Sequence, residues 1–164
     1  MSLTPSFLIR YGLMLLLTIS VAACGFHLRG ASTFGFKSIV VSGQTQITPA
    51  LKKSLTGSGV EVLNDGAAAE MNIELLKEEN EKRILSLSGD GLVNEYEVYY
   101  RVHFRTKFSD QALWSAPQTM EARRDFSYSD ANLLAKQNEE KRLIAGMRQD
   151  VTNGILRRLS ALKK

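Results

Sequence analysis

Cys24 is the only cysteine in the chain, and it stands directly after an apolar segment. Arg10 is the sole charged residue before it, and residues 11–23 are almost wholly apolar. The sequence Val21-Ala22-Ala23-Cys24 resembles the site at which lipoprotein signal peptides are cut just before a cysteine. The chemistry expected of this thiol is attachment of a diacylglyceryl group, with acylation of the new amine. We therefore predict that residues 1–23 are removed and that Cys24 carries lipid.

Two other interpretations of this segment are open. An uncleaved membrane anchor needs about 20 consecutive apolar residues, and the run here is shorter. An ordinary cleaved signal would leave a lone thiol on an exported protein, where an unpaired cysteine is unusual. A lipid anchor fits better than either, and several acyl chains on one residue make release from a bilayer slow. Gly25 stands where an aspartate would signal inner-membrane retention, so by analogy we predict the outer membrane as the destination.

One domain of ordinary size accounts for the rest of the chain. Residues 24–36 are a glycine-spaced lead segment, and residues 37–164 are predicted to form a single domain. The formal net charge of +4 is too small to indicate nucleic-acid binding. His27 and His103 are the only histidines, and neither a phosphate loop nor metal-ligand spacing is visible in the sequence. We therefore predict a protein that is not an enzyme and needs no cofactor.

Local patterns predict strands and helices along this domain. Residues 37–43 are β-branched and bounded by glycine, which is typical of a buried strand. Thr48 and Pro49 begin a helix that runs to about Ser58, because proline fits the first helical position. Residues 60–63 form a short apolar run, to which we assign no place in the sheet.

A long hairpin is the most regular part of the sequence. The even positions of residues 94–108 are mostly apolar, which predicts one buried face. Gly89-Asp90-Gly91 is a strong turn signal, and a turn centred on Asp90 places residue 72 opposite residue 108. The other arm is then one strand over residues 71–88, bulged at its polar middle, residues 77–83. Its apolar residues share odd positions: Met71, Ile73, Leu75, Leu85 and Leu87.

The C-terminal part predicts an edge strand followed by a long helix. Pro117 lies within residues 113–126 and restricts that strand to an edge. Residues 131–162 carry an apolar stripe at helical spacing, formed by Ile144, Met147, Val151, Ile155, Leu159 and Leu162. The first three turns are poorer in apolar residues, so we expect them to overhang the sheet. The predicted fold is α+β, a four-stranded, mostly antiparallel sheet with two helices on one face, in the order β-α-β-β-β-α.

The predicted mature N-terminus resembles that of a known family. Cys24-Gly25-Phe26-His27-Leu28-Arg29-Gly30, together with this order of elements, looks like the lipopolysaccharide-assembly lipoproteins of the LptE family. Asn94-Glu95-Tyr96 and residues 135–139 match further segments of the family. The resemblance implies a non-enzymatic protein that plugs and helps assemble the outer-membrane β-barrel LptD and binds lipopolysaccharide during its delivery to the outer leaflet.

Candidate binding residues follow from the resemblance. Lipid A carries phosphates, so cations beside apolar surface are the groups to seek. Lys136 lies about 60° from the centre of the apolar stripe, and it coincides with a lysine position of the family. Arg142 lies opposite the stripe and is expected to face water. The further candidates are Arg123 and Arg124, at most one of which can face the ligand side, and Lys141.

The turn at Gly89, Asp90 and Gly91 is also a candidate, for contact with the ligand or the barrel. Some relatives carry basic residues near this tip, whereas Gly89 and Asp90 stand here, and the segment is open to interpretation as a turn alone. His103 is interpreted as a surface residue. A second hypothesis for the whole protein is a pilot lipoprotein that delivers another outer-membrane assembly, such as a secretin, without binding lipid.

Overall fold

A five-stranded mixed sheet and two helices make up residues 34–66 and 68–162, which are the residues that this computed structural model describes. The lipidation site Cys24, His27 and most of the lead segment lie outside them. The elements are β1 (Ser38–Ser42), α1 (Thr48–Gly57), β2 (Glu61–Leu63), β3 (Met71–Leu87), β4 (Val93–Phe108), β5 (Gln118–Ser127) and α2 (Leu133–Ala161).

The prediction of a four-stranded sheet is wrong by one strand. The order across the sheet is β2-β1-β3-β4-β5, with β1 parallel to both neighbours and the remaining pairs antiparallel. The extra strand is β2, whose three residues pair with Ser38, Ile39 and Val40. Parallel strands are not joined by a hairpin turn that the sequence would reveal. In addition, this strand is too short to show an alternation of apolar and polar residues. The order of elements is therefore β-α-β-β-β-β-α.

Strand β3 contains a bulge that changes which side chains face the helices. Leu75 pairs with Phe104 but Lys77 pairs with His103, so Leu76 is an extra residue. From Lys77 to Ile84 the pairing fits a turn centred on Asp90, whereas before the bulge Met71, not residue 72, lies opposite Phe108. Beyond the bulge, even-numbered residues of β3 turn to the helix side.

The prediction that the odd-numbered apolar residues of this arm share one face of the strand is therefore wrong. Met71, Ile73 and Leu75 are buried, but Leu85 and Leu87 are 46% and 57% exposed. Leu85 lies within a second register shift, between Ile84 and Ser86, and Leu87 follows a third. The polar residues Glu78, Asn80 and Lys82 lie opposite Val102, Tyr100 and Val98 on the helix side instead.

The core lies between the sheet and both helices. Val98, Tyr100, Val102 and Phe104 of β4 are buried, which confirms the face predicted for this strand. Leu51 and Leu55 from α1 and Met147, Val151, Ile155 and Leu159 from α2 complete the same cluster. Phe36, at the end of the lead segment, also belongs to it. At Gly154 a Cβ atom would lie 2.7 Å from the Met120 sulfur, so glycine lets α2 approach β5 closely.

The opposite side of the sheet carries charged side chains that pair with one another. Arg101 contacts both Glu81 and Glu121, and its guanidinium lies 4.4 Å from the ring centroid of Tyr99. We call this surface the ion-paired face and define it by the pairs Glu74–Arg105, Lys77–Glu79, His103–Glu79, Arg83–Glu81, Arg101–Glu81, Arg101–Glu121 and Arg123–Glu97.

Candidate functional site

The β3–β4 turn forms an exposed tip whose conformation is set by its backbone. Gly91 adopts a φ of +77°, a conformation that favours glycine. Its N–H donates to the Ser88 carbonyl at 3.0 Å, and the Ser88 N–H donates to the Leu92 carbonyl at 2.7 Å. Gly89 and Asp90 are exposed between them. The turn prediction is confirmed, and within the tip only Asp90 carries a charge.

Exposed leucines surround this tip. Leu92 is 62% exposed, and Leu133 and Leu134 expose 44% and 76% at the start of α2. Both groups lie at the same end of the sheet, because the Tyr128 N–H, shortly before α2, donates to the Asn94 carbonyl at 2.8 Å. A shallow cleft formed by residues 131–135 adjoins the start of the helix. We call this end the tip surface and define it by Leu85, Leu87, Leu92, Leu133 and Leu134.

Three aromatic rings pack beside the tip surface, and Lys82 connects them to the overlying helix. The ring centroid of Tyr96 lies 5.9 Å from that of Phe126 and 5.1 Å from that of Tyr128. The Lys82 ammonium lies 4.8 Å from the Tyr96 centroid and 2.8 Å from a carboxylate oxygen of Glu140 on α2. The first turns of α2 therefore contact the sheet through polar side chains, whereas the buried residues of this helix begin at Met147.

Lys136 is placed at the border of the tip surface and is largely covered. Its ammonium donates to the Ser127 hydroxyl at 3.0 Å and to Glu139 at 2.9 Å, and its side chain is 19% exposed. Ser127 lies opposite Glu95 at the end of β5, beside the hairpin tip. The structure thus brings Lys136 to the same end as Gly89, Asp90 and Gly91.

The other cations are distributed over different surfaces. Arg123 and Arg124 alternate as expected: Arg123 pairs with Glu97 on the ion-paired face, and Arg124 donates to Asp150 of α2 at 2.5 Å. A hydrogen bond with Tyr99 and then the charge of Glu97 raise the pKa of the Arg123 guanidinium. Lys141 is exposed on α2.

Arg142 of α2 lines a neighbouring shallow cleft with Ala135, Asn138, Glu139 and Leu143, and Glu139 is also the ion-pair partner of Lys136. His103 is held between Glu79 and the Thr119 hydroxyl, at 3.0 and 2.8 Å.

Lys82 and the exposed leucine pair of α2 were not predicted as part of this end. Lys82 reaches the helix side only because of the bulge at Leu76, which lies just before the polar segment, residues 77–83, where a bulge was predicted. The adjacent Leu133 and Leu134 do carry a signal, because they interrupt a helical segment that is otherwise poor in apolar residues.

Within residues 34–66 and 68–162, no helix is both long and apolar enough to cross a membrane. The same residues contain no group of three or more metal-binding side chains.

Comparison with known proteins decides the family. A family described as "LptE: Lipopolysaccharide-assembly" matches residues 36–159, which include every strand and nearly all of both helices. The chain belongs to the LptE family. Among curated LptE proteins, the LPS-assembly lipoprotein LptE of Photorhabdus laumondii is 26% identical over 153 residues, 90% of this chain and 81% of the relative.

Two solved lipoprotein structures have the same fold. The solution structure of an uncharacterized lipoprotein B from Nitrosomonas europaea is 33% identical, with a TM-score of 0.73 over 84% of this chain and 91% of that one. The rare lipoprotein B of Shewanella oneidensis shares the fold, with a TM-score of 0.68 and 24% identity over 76% of this chain and 94% of that one.

Proposed function

We propose that this protein is an outer-membrane lipoprotein, anchored through Cys24, that plugs and helps assemble the LptD β-barrel and binds lipopolysaccharide on its way to the outer leaflet. Membership of the LptE family supports a role in lipopolysaccharide assembly. The proposed role is one of binding and assembly and involves no catalysis.

The tip surface with Lys136 at its border is the observation that carries lipid binding. Lipid A combines acyl chains with phosphates, so its recognition needs apolar surface beside a cation. The exposed leucines supply the apolar surface, and the Lys136 ammonium supplies the cation. This ammonium has three donors, of which two are used here. A phosphate would replace Glu139 as the partner of Lys136.

The ion-paired face suits contact with the barrel interior. Large outer-membrane barrels have a polar lumen, and a sheet face whose charges are already paired can lie against such a wall without burying an isolated charge. The helix side of the sheet is occupied by α1 and α2, so this face is the broad polar surface of the described domain.

Purification of the full lipoprotein from native membranes tests the partner. We expect a large β-barrel and lipopolysaccharide to be recovered with it. Recovery of a secretin without lipid would instead support a pilot lipoprotein and overturn the proposal.

Replacement of Lys136 tests the lipid site. Lys136→Asp should weaken lipopolysaccharide binding by roughly 1.5–3 kcal/mol, because one charge-assisted contact is lost and a repulsion is added. Arg142→Asp makes the same charge change at an exposed side chain of α2 outside the tip surface and should bind almost normally. Lys136→Met keeps the covered apolar stem of the side chain and removes only its charge. Thermal melts of all three variants test whether unfolding, rather than loss of the contact, weakens lipopolysaccharide binding. Equal weakening by the Lys136 and Arg142 substitutions at fixed salt would show diffuse electrostatics rather than a site.

A further inference from the structure

A polar cleft lies on the helix side of the sheet, between the loop after β1, the middle of β3 and α2. Its volume is about 490 Å³, and it is lined by Gln44, Thr45, Gln46, Glu78, Asn80 and Arg148. Glu78 and Asn80 reach this side only because the bulge at Leu76 turns the even-numbered residues of β3 toward the helices. The cleft is separate from the tip surface and shares no lining residue with it.

Arg148 brings a cation with spare hydrogen-bonding capacity to this cleft. Its Nε atom is buried and has no hydrogen-bond partner among the residues that the structure describes. The guanidinium lies 5.8 Å from the ring centroid of Tyr100, and it forms none of the ion pairs found in the described domain. A buried donor without a partner costs about 1–3 kcal/mol, so this N–H favours a ligand that supplies an acceptor.

Glu78, the one acidic residue lining the cleft, already accepts hydrogen bonds at both of its oxygens. Oε1 accepts from the Tyr100 hydroxyl at 2.7 Å, and Oε2 accepts from the Gln46 N–H at 2.5 Å. Burial, and then the bond to Glu78, raise the pKa of Tyr100, so the phenol remains a donor. The carboxylate is therefore held in place by these two donors, and it forms no ion pair with Arg148.

We propose that this cleft binds the carboxylate of an aspartate or glutamate side chain on a partner polypeptide, with Arg148 as its main donor. Guanidinium groups match carboxylates through paired N–H donors. The side-chain amides of Gln44, Gln46 and Asn80 offer both donors and acceptors, which suit the peptide groups that flank such a residue. The nearby charge of Glu78 repels any anion, but it disfavours a doubly charged phosphate more strongly than a singly charged carboxylate. The proposal does not depend on the proposed function.

A titration of the full lipoprotein in detergent, with arginine labelled by ¹⁵N, tests the site directly. The probe is acetyl-Gly-Glu-Gly-amide, and the matched control is acetyl-Gly-Gln-Gly-amide. The Nε–H signal of Arg148 should shift saturably with the glutamate peptide, at an affinity at least tenfold higher than for the glutamine peptide. The signal of Arg142, on the same helix, should not respond.

Substitutions of Arg148 test whether binding of the glutamate peptide in this cleft requires the charge of that side chain. These variants and the wild type are compared with ¹⁵N-labelled asparagine. Arg148→Met keeps an apolar stem against Tyr100 and should abolish the response of the side-chain signal of Asn80 to the glutamate peptide, whereas Arg148→Lys should retain part of it. An equal response to both peptides, tighter binding of inorganic phosphate than of the glutamate peptide, or an unchanged Asn80 response in Arg148→Met would each overturn the proposal. The wild-type titration decides the matter even if the methionine variant does not fold.

Discussion

Gly43 directly follows β1 and has a backbone conformation that other residues rarely adopt. Its φ is +94°, and a Cβ atom there would lie 2.1 Å from the Leu75 carbonyl oxygen. Gly43→Ala should therefore lower the free energy of unfolding by about 3 kcal/mol, because strain and a backbone clash add together. Gly57→Ala is the matched control, since no atom lies within 4 Å of its Cβ position. Urea denaturation of both variants checks this, and similar unfolding midpoints would contradict it.

Glu79 gives the ion-paired face a defined pH dependence. Hydrogen bonds from Lys77 and then from His103 lower the pKa of Glu79 from 4.5 to about 2. Because the pKa is lower in the folded state, the stabilisation by the charged carboxylate is present above about pH 4.5 and is lost as the pH falls through about 2.

Glu79→Gln, compared with the parent protein, isolates this effect. Urea unfolding at several pH values gives the free energy of unfolding of both proteins. The parent should be more stable than the variant at pH 6, and this difference should shrink as the pH falls toward 2. Glu61→Gln, an exposed change on β2 away from the ion-paired face, should not follow this curve. A difference for Glu79→Gln that is constant from pH 6 to 2 would show that the carboxylate charge contributes nothing there.

The bulge of β3 can be tested as an element by deletion. Removing Leu76 should keep every residue pair between β3 and β4, both before and after the bulge. The reason is that Leu75 and Lys77 already lie opposite the consecutive residues Phe104 and His103. Removing Asn80 instead shifts one arm by a residue and turns its apolar side chains to the wrong face. We expect deletion of Leu76 to cost about 1–2 kcal/mol, near that of an ordinary substitution, and deletion of Asn80 to prevent cooperative melting. Equal melting curves would contradict the assigned bulge.

The elements differ in how well the sequence predicts them. Helix α1, the paired arms of the hairpin and the stripe of α2 follow from local spacing, and the structure confirms them. Strand β2 was missed because its pairing is parallel and long-range. The face of β3 beyond Leu76 was wrong because an inserted residue reverses the alternation without changing the residue types. Lys136 was a candidate through its position beside the apolar stripe and through the family resemblance, whereas the contact of Lys82 with Tyr96 depends on the bulge.

Membrane attachment is a property of the whole molecule. Cys24→Ala should leave the fold intact and release the protein into the soluble fraction when no barrel partner is present, because acyl chains are the proposed bilayer anchor. Fractionation by ultracentrifugation, with the thermal melt as a folding control, checks this. A variant that stays with the membrane under these conditions would show that a second anchor exists.

The two edges of the sheet are unequal, and this inequality limits self-association. One edge is the three-residue β2 and the other is the ten-residue β5, on whose outer side no described segment pairs. Open-ended fibres grow when each added copy presents an edge that matches the one it covers. If a strand of another molecule paired with β5, the opposite edge of this sheet would still be the three-residue β2, which pairs in parallel. In the described domain β5 is therefore the longer open edge, and the short β2 does not repeat the template that amyloid-like growth requires.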